Sequence, residues 1–308
     1  MMIDLLPYRL RTRLANRRHD AACRPVLATA PIVPADDGLL IFSMMGTAVL
    51  LPYLVAVKSL WTHLRRGRVV ILSDGTLTQE DRATLARHCG SPEIIDIADV
   101  DTAGFPVGGT WERLLTILDR RSDAYVIQLD SDTVTMGPPQ AVTEAIATNR
   151  SFTLLGGAEW EIGARTCAAF TPPATVPLSA ENHIQTRMER VLARIGDAER
   201  LRYIRGCSGF TGFARGDAGR TLAAHFAAEM ERLLGRDAMH EWGTEQVTSS
   251  FVIANDPDPL LLPYRHYGNY WGEPWDGDYQ FMHFVGAHRH DGSAYRDATR
   301  AALALMDR

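Results

Sequence analysis

Lysine is all but missing from this chain: among 308 residues Lys58 stands alone, and arginine carries nearly all the positive charge. Such a bias fits the codon usage of a GC-rich, bacterial genome. Cysteine is scarce too. Cys23, Cys89, Cys167 and Cys207 lie far apart with no CxxC pair. Neither a zinc knuckle nor a disulfide framework is indicated, and a reducing cytoplasm is the expected setting. No apolar run reaches the roughly 20 residues of a membrane span, and no leader-type apolar segment follows the N-terminus. Positive charge is not in excess. The net charge of −5 gives no electrostatic reason to expect a nucleic-acid partner. Internal repeats and low-complexity tracts are missing as well. What is present is 46% hydrophobic and 22% charged, ample core for one large or two small domains.

One stretch departs from the acidic balance. Residues 1–25 carry Arg9, Arg11, Arg13, Arg17, Arg18 and Arg24, interleaved with Leu5, Leu6, Leu10 and Leu14. They read either as a peripheral membrane helix touching anionic lipid or as a solvated basic lead-in, the commoner fate of short basic termini.

Beyond residue 37, strand-like and helix-like segments alternate. Gly38 to Met45 reads as a strand and Val49 to Leu64 as a helix. Arg68 to Ser73 is a strand closed by Asp74-Gly75. Thr78 caps a helix through Arg87, with Asp81 at the acidic third position. Glu93 to Ile97 is a further strand, Thr110 caps a helix from Trp111 to Arg121, and Ala124 to Leu129 is a short apolar strand. Pro138-Pro139 opens a helix to about Thr148. This alternation predicts a mostly parallel α/β sheet with helices on both faces. The second half is less regular. Residues 160–180 read as a loop, Ala180 to Ile195 and Asp217 to Leu234 as helices, and Arg205 to Phe213 as an edge strand or binding loop. Asp256 to Asp278 is a long aromatic-rich excursion, and long ordered loops are usually functional. The division expected is a lead-in (1–37), a nucleotide-binding half (38–150) and an acceptor-side half (151–308) of one domain.

The most informative residues are Asp130-Ser131-Asp132, where the apolar strand ends. Two carboxylates at i and i+2 share a face in a continuing strand and can grip one hard divalent cation, which can take the charge of a diphosphate. The bland alternative is a turn capped by aspartates with no ligand. A second group, His283-Phe284-Val285-Gly286-Ala287-His288-Arg289-His290, offers an imidazole to complete a Mn²⁺ or Mg²⁺ site. Zinc would need thiolate or further imidazole partners at fixed spacing, and none is present. His288 and His290 read as ordinary surface histidines. A third group, His240 to Gln246, opens a helix. Thr244 as cap would put Glu245 and Gln246 in its first turn, where the helix dipole favours a carboxylate.

In this order the residues resemble the family 8 glycosyltransferases, retaining enzymes of the GT-A fold that use UDP-sugars and Mn²⁺. The resemblance runs from about residue 38 to 290. It takes in Lys58-Ser59, the strand and turn from Val69 through Asp74 to Thr78, Arg113, Asp130 and Asp132, Glu245-Gln246, and His283-x-x-Gly286-x-x-Arg289 with arginine in place of a lysine. It implies a GT-A (Rossmann-like), mostly parallel sheet flanked by helices in a single large domain. It further implies metal ligands Asp130, Asp132 and His283. Donor contacts would come from Ser43, Asp74, Arg113, Ser131, Gly286 and Arg289, and catalytic roles from Glu245 and Gln246 beside the two aspartates. The partners expected are a nucleotide-sugar and a glycan, protein or small-molecule acceptor. The chain departs from the family at Ser43-Met44-Met45-Gly46, where a uracil-holding Asp or Asn is usual. It departs again at Cys207, in place of an asparagine, and at His290-Asp291, in place of Pro-Trp, as a diverged branch would.

Three other readings compete. Trp242-Gly243-x-Glu245 is similar to the WGxE motif of some inverting glycosyltransferases, with Glu245 as general base. Asp130 to Thr133 also fits the nucleophile motif of haloacid-dehalogenase-type phosphatases, with Asp130 as nucleophile, although that motif opens its chain and needs a downstream lysine. Rings from Tyr264 to Tyr279 would suit a non-catalytic sugar-binding surface, or simply an anchoring core. Arg113, likewise, either orients the sugar and aspartates or pairs with Glu112 or Asp119 on a helix surface.

Overall fold

A computed structural model of the chain describes residues 8–171, 183–273 and 279–306. In chain order the elements are α1 (Tyr8–Cys23), β1 (Leu39–Met45), α2 (Leu50–Leu64), β2 (Arg68–Ser73), α3 (Gln79–His88), β3 (Glu93–Asp96), α4 (Trp111–Arg120), β4 (Tyr125–Leu129), β5 (Thr133–Thr135), α5 (Gln140–Ala147), β6 (Phe152–Leu155) and β7 (Arg165–Thr166). There follow α6 (Ile184–Glu189), β8 (Arg202–Tyr203), β9 (Gly206–Phe213), α7 (Arg220–Leu234), α8 (Arg236–Met239), α9 (Thr244–Asn255), β10 (Leu260–Leu261), β11 (Tyr267–Tyr270), β12 (Phe281–Phe284) and α10 (Ala294–Met306).

The central sheet has seven strands in the order β10-β6-β9-β4-β1-β2-β3. All neighbours run parallel except at β9, which is antiparallel to both β4 and β6. Its strands read as continuous apolar runs because both faces are covered. Leu39, Ile41, Val69 and Ile71 face one core with α2 and α10. Leu40, Phe42, Val70 and Leu72 face a second core with α4, α7 and α9. A smaller sheet, β11-β12-β5, stands beside it, with β12 antiparallel to β5 and His283 opposite Thr133.

Local chemistry explains most boundaries. Thr78 accepts from the Asp81 N–H (3.1 Å) while the Asp81 carboxylate accepts from the Thr78 N–H (2.9 Å), the expected reciprocal cap of α3. Several expectations need correction. Arg205 to Phe213 is no edge: β9 lies inside the sheet. Its glycines make room for large neighbours, since a Cβ at Gly212 would lie 2.2 Å from the Phe152 ring. Thr110 precedes α4 but does not cap it, because φ there is 73° and its hydroxyl donates to Glu245 instead (3.0 Å). The helix expected over Ala180 to Ile195 is broken into α6 and a 3₁₀ turn (Leu192–Arg194). Residues 172–182, Leu5, Leu6 and Trp275 of the sequence reading lie outside the described residues. Thr47–Leu64 is long and apolar enough to cross a membrane by length and composition, contrary to expectation. It is a core helix, with Tyr53 through Trp61 buried.

Lys58, on that helix, is buried. Its ammonium donates to the carbonyls of Thr29 (3.3 Å) and Val26 (3.5 Å), and burial lowers it to about 8. The next residue, Ser59, accepts from the Thr135 N–H (3.1 Å) and so docks β5 against α2.

Candidate functional site

The apolar run of β4 stops at Leu129, and Asp130 to Asp132 form a turn before β5 rather than a continuing strand. Backbone bonds hold this turn from both sides. The Asp130 N–H donates to the Gly209 carbonyl (2.9 Å), and the Phe284 N–H donates to the Asp132 carbonyl (2.8 Å). The strands beside the turn, β9 and β12, therefore aim the carboxylates.

His283 stands on β12 with its Nε2 3.2 Å from Asp132 Oδ1. Its other nitrogen, Nδ1, lies 2.8 Å from Asn269 Oδ1 and 3.4 Å from Cys207 Sγ. Asn269 Nδ2 donates to the Leu155 carbonyl (2.5 Å), which fixes its amide and turns its oxygen to the imidazole. Nδ1 is thereby committed as a donor and Nε2 is presented to the acid pair, the supporting arrangement typical of a metal-binding histidine. One donor atom from each of Asp130, Asp132 and His283 falls within 4.8 Å of the others.

Electrostatics separate the two carboxylates. Burial raises Asp130 despite the pull of Arg113. Burial also acts on Asp132, but His283 and Arg289 outweigh it and hold that carboxyl below its ordinary value. Burial opposes protonation of His283, while Cys207 and Asp132 raise it well above the usual imidazole range. Arg289 donates to Asp132 Oδ2 (2.8 Å) and, through Nε, to the Gly286 carbonyl (3.1 Å). A proton on His283 Nε2 and the Arg289 guanidinium thus offset the two carboxylates, and a cation binding there would displace that proton. Two hard oxygens and an oriented imidazole nitrogen fit a divalent cation of the Mn²⁺ or Mg²⁺ kind.

Arg113 joins this centre to a second group. One terminal nitrogen donates to Asp130 (2.7 Å), the other to Glu245 Oε2 (2.9 Å) and Ser208 Oγ (3.0 Å). It pairs with neither Glu112 nor Asp119. Glu245 opens α9, but its cap position is Gly243. Thr244 is the first helical residue, and its hydroxyl bonds Met239, Glu241 and the Trp111 indole. Glu245 is 1% exposed. Burial raises its carboxyl against the opposing pull of Arg113. Its Oε1 is buried with no hydrogen-bond partner among the described residues. The Gln246 Oε1 accepts from the Ser208 N–H (3.2 Å), and its Nε2 donates to Gln185 Oε1 (3.2 Å).

Other sequence candidates lie further out. Ser43 is fully buried and its hydroxyl donates to the Leu129 carbonyl (2.7 Å), a bond inside the sheet that takes it away from any ligand. Asp74 is exposed at the end of β2, where it accepts from Thr76 and stands over Gly46. Ser131 lines a cleft with Asp132 and Arg289, and Gly286 has φ 45° at the start of the turn that carries Arg289. His288 pairs with Asp291 (2.9 Å), and His290 bonds Asn16 of α1 (2.7 Å). Sequence reasoning missed Asn269 and Gln185, which hold His283 and Gln246, and Asn16 and Asp20 of α1, which line the same cleft as Ser131. Asn269 carried a faint signal as a lone polar residue between Tyr267 and Tyr270; the others carried none.

No protein-family model matches the chain, and no curated protein matches it in sequence. Solved structures do match. The apo bifunctional glycosyltransferase WbbM is 13% identical with a TM-score of 0.51, over 89% of this chain and 51% of that one. The chain thus spans about half of WbbM's length. Looser likenesses are the galactosyltransferase LgtC in complex with donor and acceptor sugar analogues (13% identity, TM-score 0.47, 85% and 95% covered) and apo mouse xyloside xylosyltransferase 1 (11%, 0.46, 82% and 98%). The WbbM likeness and the seven-stranded, mostly parallel sheet give this chain the GT-A fold, with the acid pair at the end of β4.

Proposed function

We propose that this chain is a glycosyltransferase that moves a sugar from a nucleoside-diphosphate donor, a UDP-sugar on the family resemblance, to an acceptor hydroxyl with retention. Asp130, Asp132 and His283 would hold Mn²⁺ or Mg²⁺. When bound, the cation supplies charge neutralisation for the diphosphate leaving group, so no acid is needed to protonate it. Arg289 exchanges Asp132 for diphosphate oxygens, to which its fork is suited. Arg113 keeps Asp130, Ser208 and Glu245 in one arrangement. Gln246, fixed by Ser208 and Gln185, lines the place of the transferred sugar, and a leaving phosphate oxygen takes the acceptor proton on the same face.

The observation that carries this reading is the convergence of three donor atoms within 4.8 Å from two distant stretches of chain on this fold. The buried, doubly engaged Glu245 supports retention over inversion, because a general base must reach the acceptor hydroxyl. The phosphatase alternative loses its scaffold, since the fold is GT-A, and Asp130 is paired with Arg113 rather than free to attack. The acceptor is a glycan, protein or small molecule. We place the chain in the cytoplasm, with peripheral membrane contact through exposed Arg13, Arg17 and Arg18 of α1.

A thermal-shift panel tests the reading. UDP is expected to raise the melting temperature with Mn²⁺ present and not with chelator. A panel of nucleoside diphosphates that never stabilises the protein, or does so equally without metal, would overturn it.

A further inference from the structure

Beside the acid pair the surface opens into a cleft of about 60 Å³. Its polar walls include Ser131, Asp132 and Arg289, its apolar side is Val49 and Pro52, and its outer wall is α1, through Asn16 and Asp20. Asp130, Arg113, Glu245 and Gln246 do not line it. A diphosphate held at Asp132 and Arg289 has two ends. Gln246 and Glu245 lie to one side, reached through Asp130 and Arg113. The cleft is the other exit.

We propose that α1 is a wall of the donor site and that Asp20 and Asn16 bind the ribose hydroxyls of the nucleoside diphosphate; this rests on the donor reading above. A vicinal diol needs acceptors and a donor. Asp20 is half-buried in the cleft wall, and no hydrogen bond or ion pair engages its carboxylate among the described residues, so its acceptor capacity is unspent. Asn16 lends its Oδ1 to His290 Nε2 (2.7 Å) and keeps its amide N–H groups for a ligand. The enclosed space holds several water-sized groups, which suits a sugar ring and not a whole nucleotide, so the base projects outward along exposed Ala48. The wall is anchored: the His19 ring stacks on Tyr295 (3.6 Å between centroids) and its Nε2 meets Cys23 Sγ (3.3 Å).

Isothermal titration of the full chain with Mn²⁺ at saturation, using UDP, GDP, ADP and inorganic pyrophosphate, tests the inference. The wild type should bind one nucleoside diphosphate more tightly than pyrophosphate. Asp20→Ala and Asn16→Ala should each weaken that nucleoside diphosphate about tenfold, the loss of one good hydrogen bond to a charged or polar partner, and leave pyrophosphate within about twofold. Ala48→Phe narrows the cleft from the opposite wall and should act in the same direction, which covers the case of an α1 variant that does not fold. Unchanged nucleoside diphosphate binding in both α1 variants, with pyrophosphate still bound, overturns the inference and leaves the donor reading standing. So does a wild type that prefers no nucleoside diphosphate over pyrophosphate. Failure of the wild type to bind either class removes the donor reading, and the inference with it.

Discussion

The backbone of Gly209 and the ring of His283 are packed so closely that a Cβ on Gly209 would lie 2.3 Å from Cε1 of the imidazole. Glycine at this central-strand position is therefore a condition for the histidine's pose. Gly209→Ala should displace the ring, cost about 1–3 kcal/mol of stability through overpacking, and lower Mn²⁺-dependent nucleotide affinity at least about tenfold. Gly216→Ala is the control, because nothing lies within 4 Å of a Cβ built there. Calorimetric titration and melting curves of the two variants check both effects.

Arg113 is the only cation in contact with Glu245 among the described residues. Arg113→Met would leave Glu245 and Asp130 without their shared partner and should destabilise the fold by about 3–5 kcal/mol. Adding Glu245→Gln should recover part of that loss, with a coupling of about 1–3 kcal/mol. Urea denaturation of the wild type, both single variants and the double variant closes the cycle. Simple additivity would mean that the pair is not coupled.

Arg289 is one-third exposed and bonds Asp132 at 2.8 Å, so it is less involved in stability than Arg113. Arg289→Ala should weaken nucleoside diphosphate binding about tenfold or more through loss of a charge-assisted contact. Arg289→Lys keeps the charge without the fork and should fall between that variant and the wild type. Melting temperatures should stay close together, which separates a ligand contact from a structural one.

His19 supplies a pH dependence. Burial lowers it to about 3, helped by His290, Arg296 and Arg289. The unfolded residue takes its proton near pH 6.5, so between 6.5 and 3 the unfolded state binds more protons than the folded one. Stability present above pH 6.5 is lost as the pH falls through that window, on the order of 2–3 kcal/mol by pH 4. His290, lowered to about 4, acts in the same direction. His19→Phe keeps the stack on Tyr295 and should flatten the acid limb of a pH–stability profile without abolishing it.

Much of the framework was legible because local rules sufficed. The strand at Leu39, the capped helix after Thr78 and the acid pair after Leu129 all announce themselves by apolar runs and their terminators. What was illegible depends on distant partners. Gly206 to Phe213 looks like a weak edge because its glycines can be valued only once Phe152, Thr153 and His283 are seen against them. Ser43 lies among the last residues of the expected strand, near the expected donor side, yet its hydroxyl is spent on a neighbouring strand's carbonyl. Thr110 has the right identity for a cap and the wrong backbone angle. Asn269 reaches His283 from 14 residues earlier in the chain, and Asn16 of α1 reaches His290 across 274 residues, contacts that no local pattern announces.

Because His283 sits directly across the small sheet from Thr133, the rung after the acid pair, the distance along the chain between them is free to drift while the rung is not. Inserting residues into the connecting loops would leave imidazole and carboxylates facing each other. Deleting one residue within Phe281–Phe284 would turn the imidazole to the opposite side of its ribbon and dissolve the centre at a stroke.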